Sequence, residues 1–273
     1  MKLLAISDLH LNHEANWAAL SRMPAFPKDW LIVAGDVAEK IQDFRRAMDL
    51  LSHRFGKIFW TPGNHDLWTI PSDSESKRGL AKYFQLVQIC RDFGVLTPED
   101  AFVQWPNSDP PLFIAPTFTL YDYSFRPEEV LADEALAWAE ASGVVATDEV
   151  ILHPDPYPSR QAWCAVRCRY TEARLAETAV STNQLILINH YPLRYDLVNL
   201  RLIPRFSLWC GTKLTEDWHM RFPVTAVVYG HLHIRGTQFR DGVRFEEVSL
   251  GYPQNWQPER GIEPYLRQIW PPP

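Results

Sequence analysis

The chain has 273 residues, 46% of them hydrophobic, with 27 basic and 33 acidic side chains for a net charge of −6. Such a composition builds a core without a disulfide or metal staple, and the acidic balance gives no bulk attraction for nucleic acid. No apolar run approaches the roughly 18 residues of a membrane span, and Asp8 falls where an export signal would still be apolar, so a cytoplasmic protein is expected.

In chain order, short apolar runs recur and end in polar clusters. Leu3 to Ile6 leads into Ser7-Asp8-Leu9-His10, Leu31 to Ala34 into Gly35-Asp36, and Ile58 to Trp60 into Thr61-Pro62-Gly63-Asn64-His65-Asp66. Each run is short, rich in β-branched or aromatic residues and bounded by turn formers, so each predicts a buried strand. Ile41, Phe44, Met48 and Leu51 share one helix face, and Leu80, Phe84 and Val87 mark a second helix from about Glu75 to Phe93. Leu112 to Ala115 is a further strand candidate. From about 121 to 182 the pattern becomes helical, with Leu131, Ala135 and Trp138 on one face and Trp163, Val166, Tyr170 and Ala173 on another. The Pro-rich stretch from His153 to Pro158 separates them, so this segment is expected as a helical insertion. Leu185 to Ile188 and Val227 to Tyr229 then run into Asn189-His190-Tyr191-Pro192 and Gly230-His231-Leu232-His233, and Val243 to Leu250 adds a last strand. Strand and helix alternate as in an α/β domain.

Five histidines (His10, His65, His190, His231 and His233) stand at predicted strand ends, with Asp8, Asp36, Asp66 and Asn64 in the same places. Ligands of open α/β sheets gather at the carboxyl ends of strands. A His/Asp/Asn set without thiolate suits manganese, iron, zinc, cobalt or nickel rather than soft-metal clusters. In an extended segment Asp8 and His10 would point the same way. His231 and His233 would do likewise, facing one ion or reaching two. In Gly63-Asn64-His65-Asp66 the glycine allows a sharp turn, Asn64 offers a neutral oxygen, and His65 can hold a proton near neutral pH. Cys90, Cys164, Cys168 and Cys210 show no metal or redox spacing and are expected as buried thiols.

Taken together, Asp-x-His, Gly-Asp, Gly-Asn-His-Asp, His-x-Pro and Gly-His-x-His resemble, in kind and order, the motifs of the calcineurin-like metallophosphoesterase superfamily, from the first strand to Val248. The resemblance implies a four-layer α/β/β/α sandwich, here a single domain over 1–273 carrying the insertion. It implies that Asp8, His10 and His233 bind one divalent ion, Asn64, His190 and His231 a second, and that Asp36 bridges them, with His65 beside both. Two such ions leave a net positive site for phosphate. They clamp a phosphoryl group in line, and a hydroxide held between them is the implied nucleophile. His65 would stabilise the phosphoryl oxygens or protonate the leaving group. Asp66 is expected to cap a helix.

The Asp-Arg-Gly of protein serine/threonine phosphatases is missing, because Gly35-Asp36 is followed by Val37-Ala38-Glu39-Lys40. The expected activity is therefore dimetal hydrolysis of a phosphodiester or phosphomonoester, with a small, nucleotide-like diester preferred. Arg194 and Arg205, after His190, are the candidates for substrate contact. Tyr121, Tyr123, Phe125 and Trp209 are expected in packing, and the insertion is expected to cover part of the site. The alternatives are a repair-type nuclease, a lipid-linked pyrophosphatase and a non-catalytic scaffold, and the last would have lost ligands that are all present here.

Overall fold

The computed structural model describes residues 1–179 and 183–272, so the last three positions of the expected insertion lie outside the described residues. The first half runs β1 (Leu3–Ile6), α1 (Glu14–Arg22), β2 (Phe26–Val33), α2 (Ile41–Ser52), β3 (Phe55–Trp60), α3 (Asn64–Leu67), α4 (Gly79–Asp92), β4 (Val103–Gln104) and β5 (Leu112–Pro116). It continues with α5 (Ala135–Glu140), α6 (Asp148–Ile151), α7 (Arg160–Thr178), β6 (Gln184–Ile188), α8 (Trp218–Arg221), β7 (Val224–Tyr229), β8 (Gly236–Arg240), β9 (Val243–Glu247) and β10 (Arg267–Trp270).

The strands form two sheets, ordered β10-β1-β2-β3 and β4-β5-β6-β7-β9-β8. Their central strands are parallel, and β10, β4 and β8 add antiparallel edges. Period-two alternation sorts each central strand onto two buried faces. Leu3, Ala5, Ile32, Ala34 and Phe59 of one sheet pack against Ile114, Ile186, Ile188, Ala226 and Val228 of the other. The intervening residues Leu4, Ile6, Leu31 and Val33, with Leu185, Leu187 and Val227, join the outer core with the helix residues Phe44, Met48, Leu86 and Trp163. This is the sandwich of two sheets with helices outside.

Three helical expectations shift. The helix expected from about Glu75 starts at Gly79, and Phe84 of its expected face is exposed while Tyr83, Leu86 and Cys90 are buried with Val87. Leu131 lies before α5 and is exposed. The buried stripe of α7 is Trp163, Cys164, Arg167, Cys168, Thr171 and Leu175, not the face through Val166 and Tyr170. Arg167 explains the difference. Its guanidinium lies over the rings of Phe118 and Tyr170 and pairs with Glu99 at 2.7 Å, so a cation occupies a core position. Among the described residues no helix is long and apolar enough to cross a membrane.

The sheets are joined at the end where the strands finish. Ser7 bridges to Ser249, with Ser7 N donating to the Val248 carbonyl at 3.2 Å and Leu250 N to the Ser7 carbonyl at 2.8 Å. Asp8 N reaches the Gly35 carbonyl at 2.9 Å, and Gly230 N reaches the His190 carbonyl at 2.9 Å. The polar turns after β1, β2, β3, β6 and β7 are thereby gathered into one place.

Candidate dimetal site

Asp8 and His10 follow β1, Asp36 follows β2, Asn64 and His65 open α3, His190 follows β6, and His231 and His233 follow β7. Three overlapping sets result: Asp8, His10 and His233; His10, Asp36 and His65; Asp36, His190 and His231. In each set one potential ligand atom per residue lies within 4.8 Å of the others. Asp36 Oδ2 stands between the groups, 3.4 Å from His190 Nε2 and 4.0 Å from His10 Nε2. His233 Nε2 is 3.2 Å from Asp8 Oδ1 and 3.1 Å from His10 Nε2, while His190 Nε2 is 3.2 Å from Asn64 Oδ1.

The backbone reaches this arrangement differently from an extended chain. Asp8, His10, Asp36, His231 and His233 all have positive φ, from 40° to 71°. The paired residues converge because each sits in the left-handed region, not because alternate residues of a strand share a face. Non-glycine residues adopt this region at a cost and keep it only where their surroundings impose it. The surroundings here are the Ser7 and Ser249 hydroxyls, which donate to Asp8 Oδ2 at 2.5 and 2.7 Å, and His231 N, which donates to the same oxygen at 3.0 Å.

Gly63 likewise has a role other than turning. Its φ is −96° with ψ 178°, open to any residue, but an added Cβ would collide with Asp36 Oδ1. Gly230 stands equally close to the Asp8 carboxylate and the Ser7 hydroxyl. Asp66 caps its own short helix by accepting from Gly63 N at 3.0 Å, and it also accepts from Asp36 N at 3.0 Å and Val37 N at 2.8 Å. It thus ties the β2 turn to the β3 turn and leaves His65 alone.

The partner of His65 is Glu39, whose Oε1 lies 3.1 Å from Nδ1. The imidazole also stacks on Trp68, with ring centroids 3.6 Å apart. Glu39 lies in the stretch that replaces Asp-Arg-Gly, where the sequence signals only a missing arginine. Asp148 of α6 was equally hidden. Its Oδ1 accepts from Asn64 Nδ2 at 3.0 Å and Trp68 Nε1 at 2.7 Å, which turns the Asn64 oxygen towards His190. Tyr252 stacks on His10, with centroids 4.5 Å apart, and meets His233 edge-on.

Electrostatics divides the histidines. Burial, assisted by the charge of His65, pushes His10 down to about 3, and burial with His190 does the same to His231. Burial therefore favours the neutral imidazole at both positions. Burial acts against the charge of His190 as well, but the Asp36 carboxylate overrides it and lifts this histidine to about 10. Burial also disfavours ionised Asp8 and Asp36, yet the surrounding histidines hold both below the usual carboxylate range. His65 is raised, because Asp36, Glu39 and Asp148 together outweigh its burial.

A metal suits this donor set. His231 Nε2 is shut off from solvent and has no hydrogen-bond partner among the described residues, which is costly unless something else engages it. His190 donates through Nδ1 to the Ala34 carbonyl at 2.9 Å, the arrangement that aims the other ring nitrogen at an ion. A cavity of about 230 Å³ opens over Asp36, Asn64, His65, His231 and His233, walled by Leu200, Ile203, Phe206, Leu232 and Tyr252.

A family model described as calcineurin-like phosphoesterase matches residues 1–235. The chain belongs to the calcineurin-like phosphoesterase family. It is therefore a metal-dependent hydrolase of phosphoric esters. The chain is 50% identical to the acyl-carrier-protein phosphodiesterase PptH of Mycobacterium tuberculosis over 99% of its own length and 84% of that protein. It superposes with a TM-score of 0.94 and 47% identity on the crystal structure of the phosphopantetheinyl hydrolase PptH from the same organism, covering 100% of this chain and 96% of that one.

Other expected groups lie elsewhere. Arg194 is held by Asp196 at 2.8 Å and Asp241 at 3.2 Å, and Arg205 donates to the Trp138 carbonyl while lying over that ring. Neither lines the cavity over the candidate cluster. Tyr121, Tyr123, Phe125 and Trp209 are buried in the core. No described residue of the 121–182 stretch lines that cavity, so the expected cover is corrected to a buttress acting through Asp148, and the wall comes from 200–210.

Proposed function

We propose that the chain hydrolyses the phosphodiester joining a phosphopantetheinyl group to an acyl carrier protein. The observation that carries this reading is the full-length correspondence, at a TM-score of 0.94, with the phosphopantetheinyl hydrolase. In the proposed assignment Asp8, His10 and His233 would hold one divalent ion and Asn64, His190 and His231 the second, with Asp36 available to both. The donors include no thiolate, which suits manganese, iron, zinc, cobalt or nickel. When bound, the ions supply Lewis acidity at the phosphoryl oxygens and a nucleophile at neutral pH.

The remaining chemistry belongs to the chain. Glu39 accepts the Nδ1 proton of His65 in a hydrogen bond and leaves Nε2 to give its proton to the departing carrier oxygen. Trp68 fixes the ring plane. Asp148 orients Asn64 and Ala34 orients His190. A diester is favoured over a monoester because no lysine or arginine lines the cavity to pair the second charge of a monoester. The cavity, at about 230 Å³, is also far too small for a folded carrier, so only the phosphopantetheinyl arm enters. We place the enzyme in the cytoplasm, where its four buried cysteines remain thiols.

The test is to incubate an acyl carrier protein bearing phosphopantetheine with the manganese-loaded enzyme and follow both products by mass spectrometry. The expected result is a carrier lacking the whole phosphopantetheinyl group, with the phosphate leaving on the pantetheine. An unchanged carrier, or release of orthophosphate, refutes the proposal.

A further inference from the structure

We propose that the groove beside the ligand cluster, running from Leu200 and Leu232 out to Leu202 and Ile234, is the subsite for the pantetheine arm. This inference rests on the carrier-protein reading above.

The first support is continuity. Leu200, Ile203, Leu232 and His233 line the small cavity over the ligand cluster and also line a second cavity of about 750 Å³. That volume is within the range of about 300–1,000 Å³ typical of small-ligand sites. A substrate with its phosphate at Asp36 and the histidines thus has an unbroken path along one side. His65 lines the first cavity and not the second. With the arm in the groove, the carrier hydroxyl is left on the side of His65. Water loses a proton and adds its oxygen to phosphorus, the P–O bond to the carrier breaks with its electron pair on the carrier oxygen, that oxygen takes the proton of His65, and the proton lost by water restores His65.

The second support is chemical pattern. A pantetheine arm is an uncharged chain with a gem-dimethyl group, two secondary amides and a thiol. The groove sets apolar Leu200, Leu202 and Ile234 among the carboxamides of Asn199, Gln238 and Asn255. Gln238 accepts from Arg240 and Asn255 accepts from Tyr252 N, so the oxygens of both are engaged. Among the described residues their NH₂ groups, and the whole Asn199 side chain, make no hydrogen bond, which leaves donors for amide carbonyls. Arg201 is the one Lys or Arg among the described lining residues, and no carboxylate is among them. Of its two lining rings, Tyr229 is buried and His233 is taken by the proposed ligand set, so among the described residues a nucleobase finds no open ring face to stack on.

The third support is exposure. Leu202 is 97% exposed and Ile234 49% exposed, although both border a functional cavity. Such apolar groups held in water beside a polar site are a mark of a surface that is covered in use.

The experiment compares Leu202→Asp, Ile234→Asp and the uncharged Asn199→Leu with wild type, each first checked for an unshifted melting temperature. Two readouts are taken: KM and kcat on a phosphopantetheine-bearing carrier protein, and inhibition of bis-(p-nitrophenyl) phosphate hydrolysis by free pantetheine. A charge forced against an apolar arm is expected to raise KM and weaken pantetheine inhibition about tenfold or more, with the loss falling in KM rather than kcat. If wild type cleaves the carrier and the variants keep its KM and its pantetheine inhibition, the groove assignment is overturned and the proposed function stands. If wild type releases no phosphopantetheine, the proposed function fails and takes this subsite with it.

Discussion

Glu39→Gln isolates one contact and so gives the sharpest mutational test. Glu39 Oε1 lies 3.1 Å from His65 Nδ1, and both side chains are mostly buried, at 19% and 13% exposure. Glutamine keeps the length and an amide oxygen for the Nδ1 proton but removes the charge that favours protonated His65. A hydrogen bond to a charged group contributes about 1.5–3 kcal/mol. If all of it is lost as the leaving oxygen is protonated, turnover falls roughly 10- to 150-fold, at 1.36 kcal/mol per decade. Metal content should match wild type, because neither residue belongs to the proposed ligand set. The assay compares a diester with an alkyl leaving group against its p-nitrophenyl counterpart. An alkoxide needs the proton and p-nitrophenolate does not, so the loss should be large for the first and smaller for the second. An equal loss on both, or wild-type turnover on the alkyl ester, refutes the assignment of His65 and Glu39 as an acid and its orienting base.

Three further outcomes are expected. His65→Ala should retain its metals and lose on the order of 10²–10⁴ in turnover, read by elemental analysis and steady-state kinetics; full activity on an alkyl diester would remove His65 from the chemistry. Asp36→Asn should weaken both ion sites and Asp8→Asn mainly one, so equilibrium dialysis showing two ions at wild-type affinity in Asp36→Asn would contradict the shared ligand. Burial pushes Lys82 from 10.5 down to about 8 in the fold, so between those values the unfolded chain holds a proton the native one has lost, and stability rises with pH. Relative to Lys82→Met, wild type should gain on the order of 3 kcal/mol between pH 8 and 10.5, and a flat difference in denaturant midpoints would count against the buried cation.

The candidate cluster was legible in the sequence because its members stand a few residues beyond short, doubly buried strands, and both features are local. Leu3 to Ile6 and Leu185 to Ile188 announce their strands by composition alone, and the polar residues just beyond must meet wherever parallel strands end together. What holds the ligands was not legible. Asn64 and Asp148 are 84 positions apart, and Asp8 and Ser249 are 241 apart, contacts that no spacing rule anticipates. The left-handed backbone was hidden for the same reason, since Asp8 is held by bonds from the turns after β7 and β9 and His10 by the Asp36 carbonyl after β2. The edge strand β10 pairs with β1 from the opposite end of the chain. Arg167 shows the reverse failure, a charged residue that a polarity pattern puts outside and that aromatic faces and Glu99 hold within. Arg194 and Arg205 drew notice by following His190, but their guanidinium groups are already engaged by Asp196, Asp241 and Trp138.

The central claim, that this cluster holds two ions sharing Asp36, is tested most directly by an anomalous-scattering map of manganese-soaked crystals. Two peaks about 3.5–4 Å apart are expected, with the Asp36 carboxylate between them, Asp8, His10 and His233 around one, and Asn64, His190 and His231 around the other. A single peak, or two peaks of which one lies beyond reach of Asp36, would contradict it.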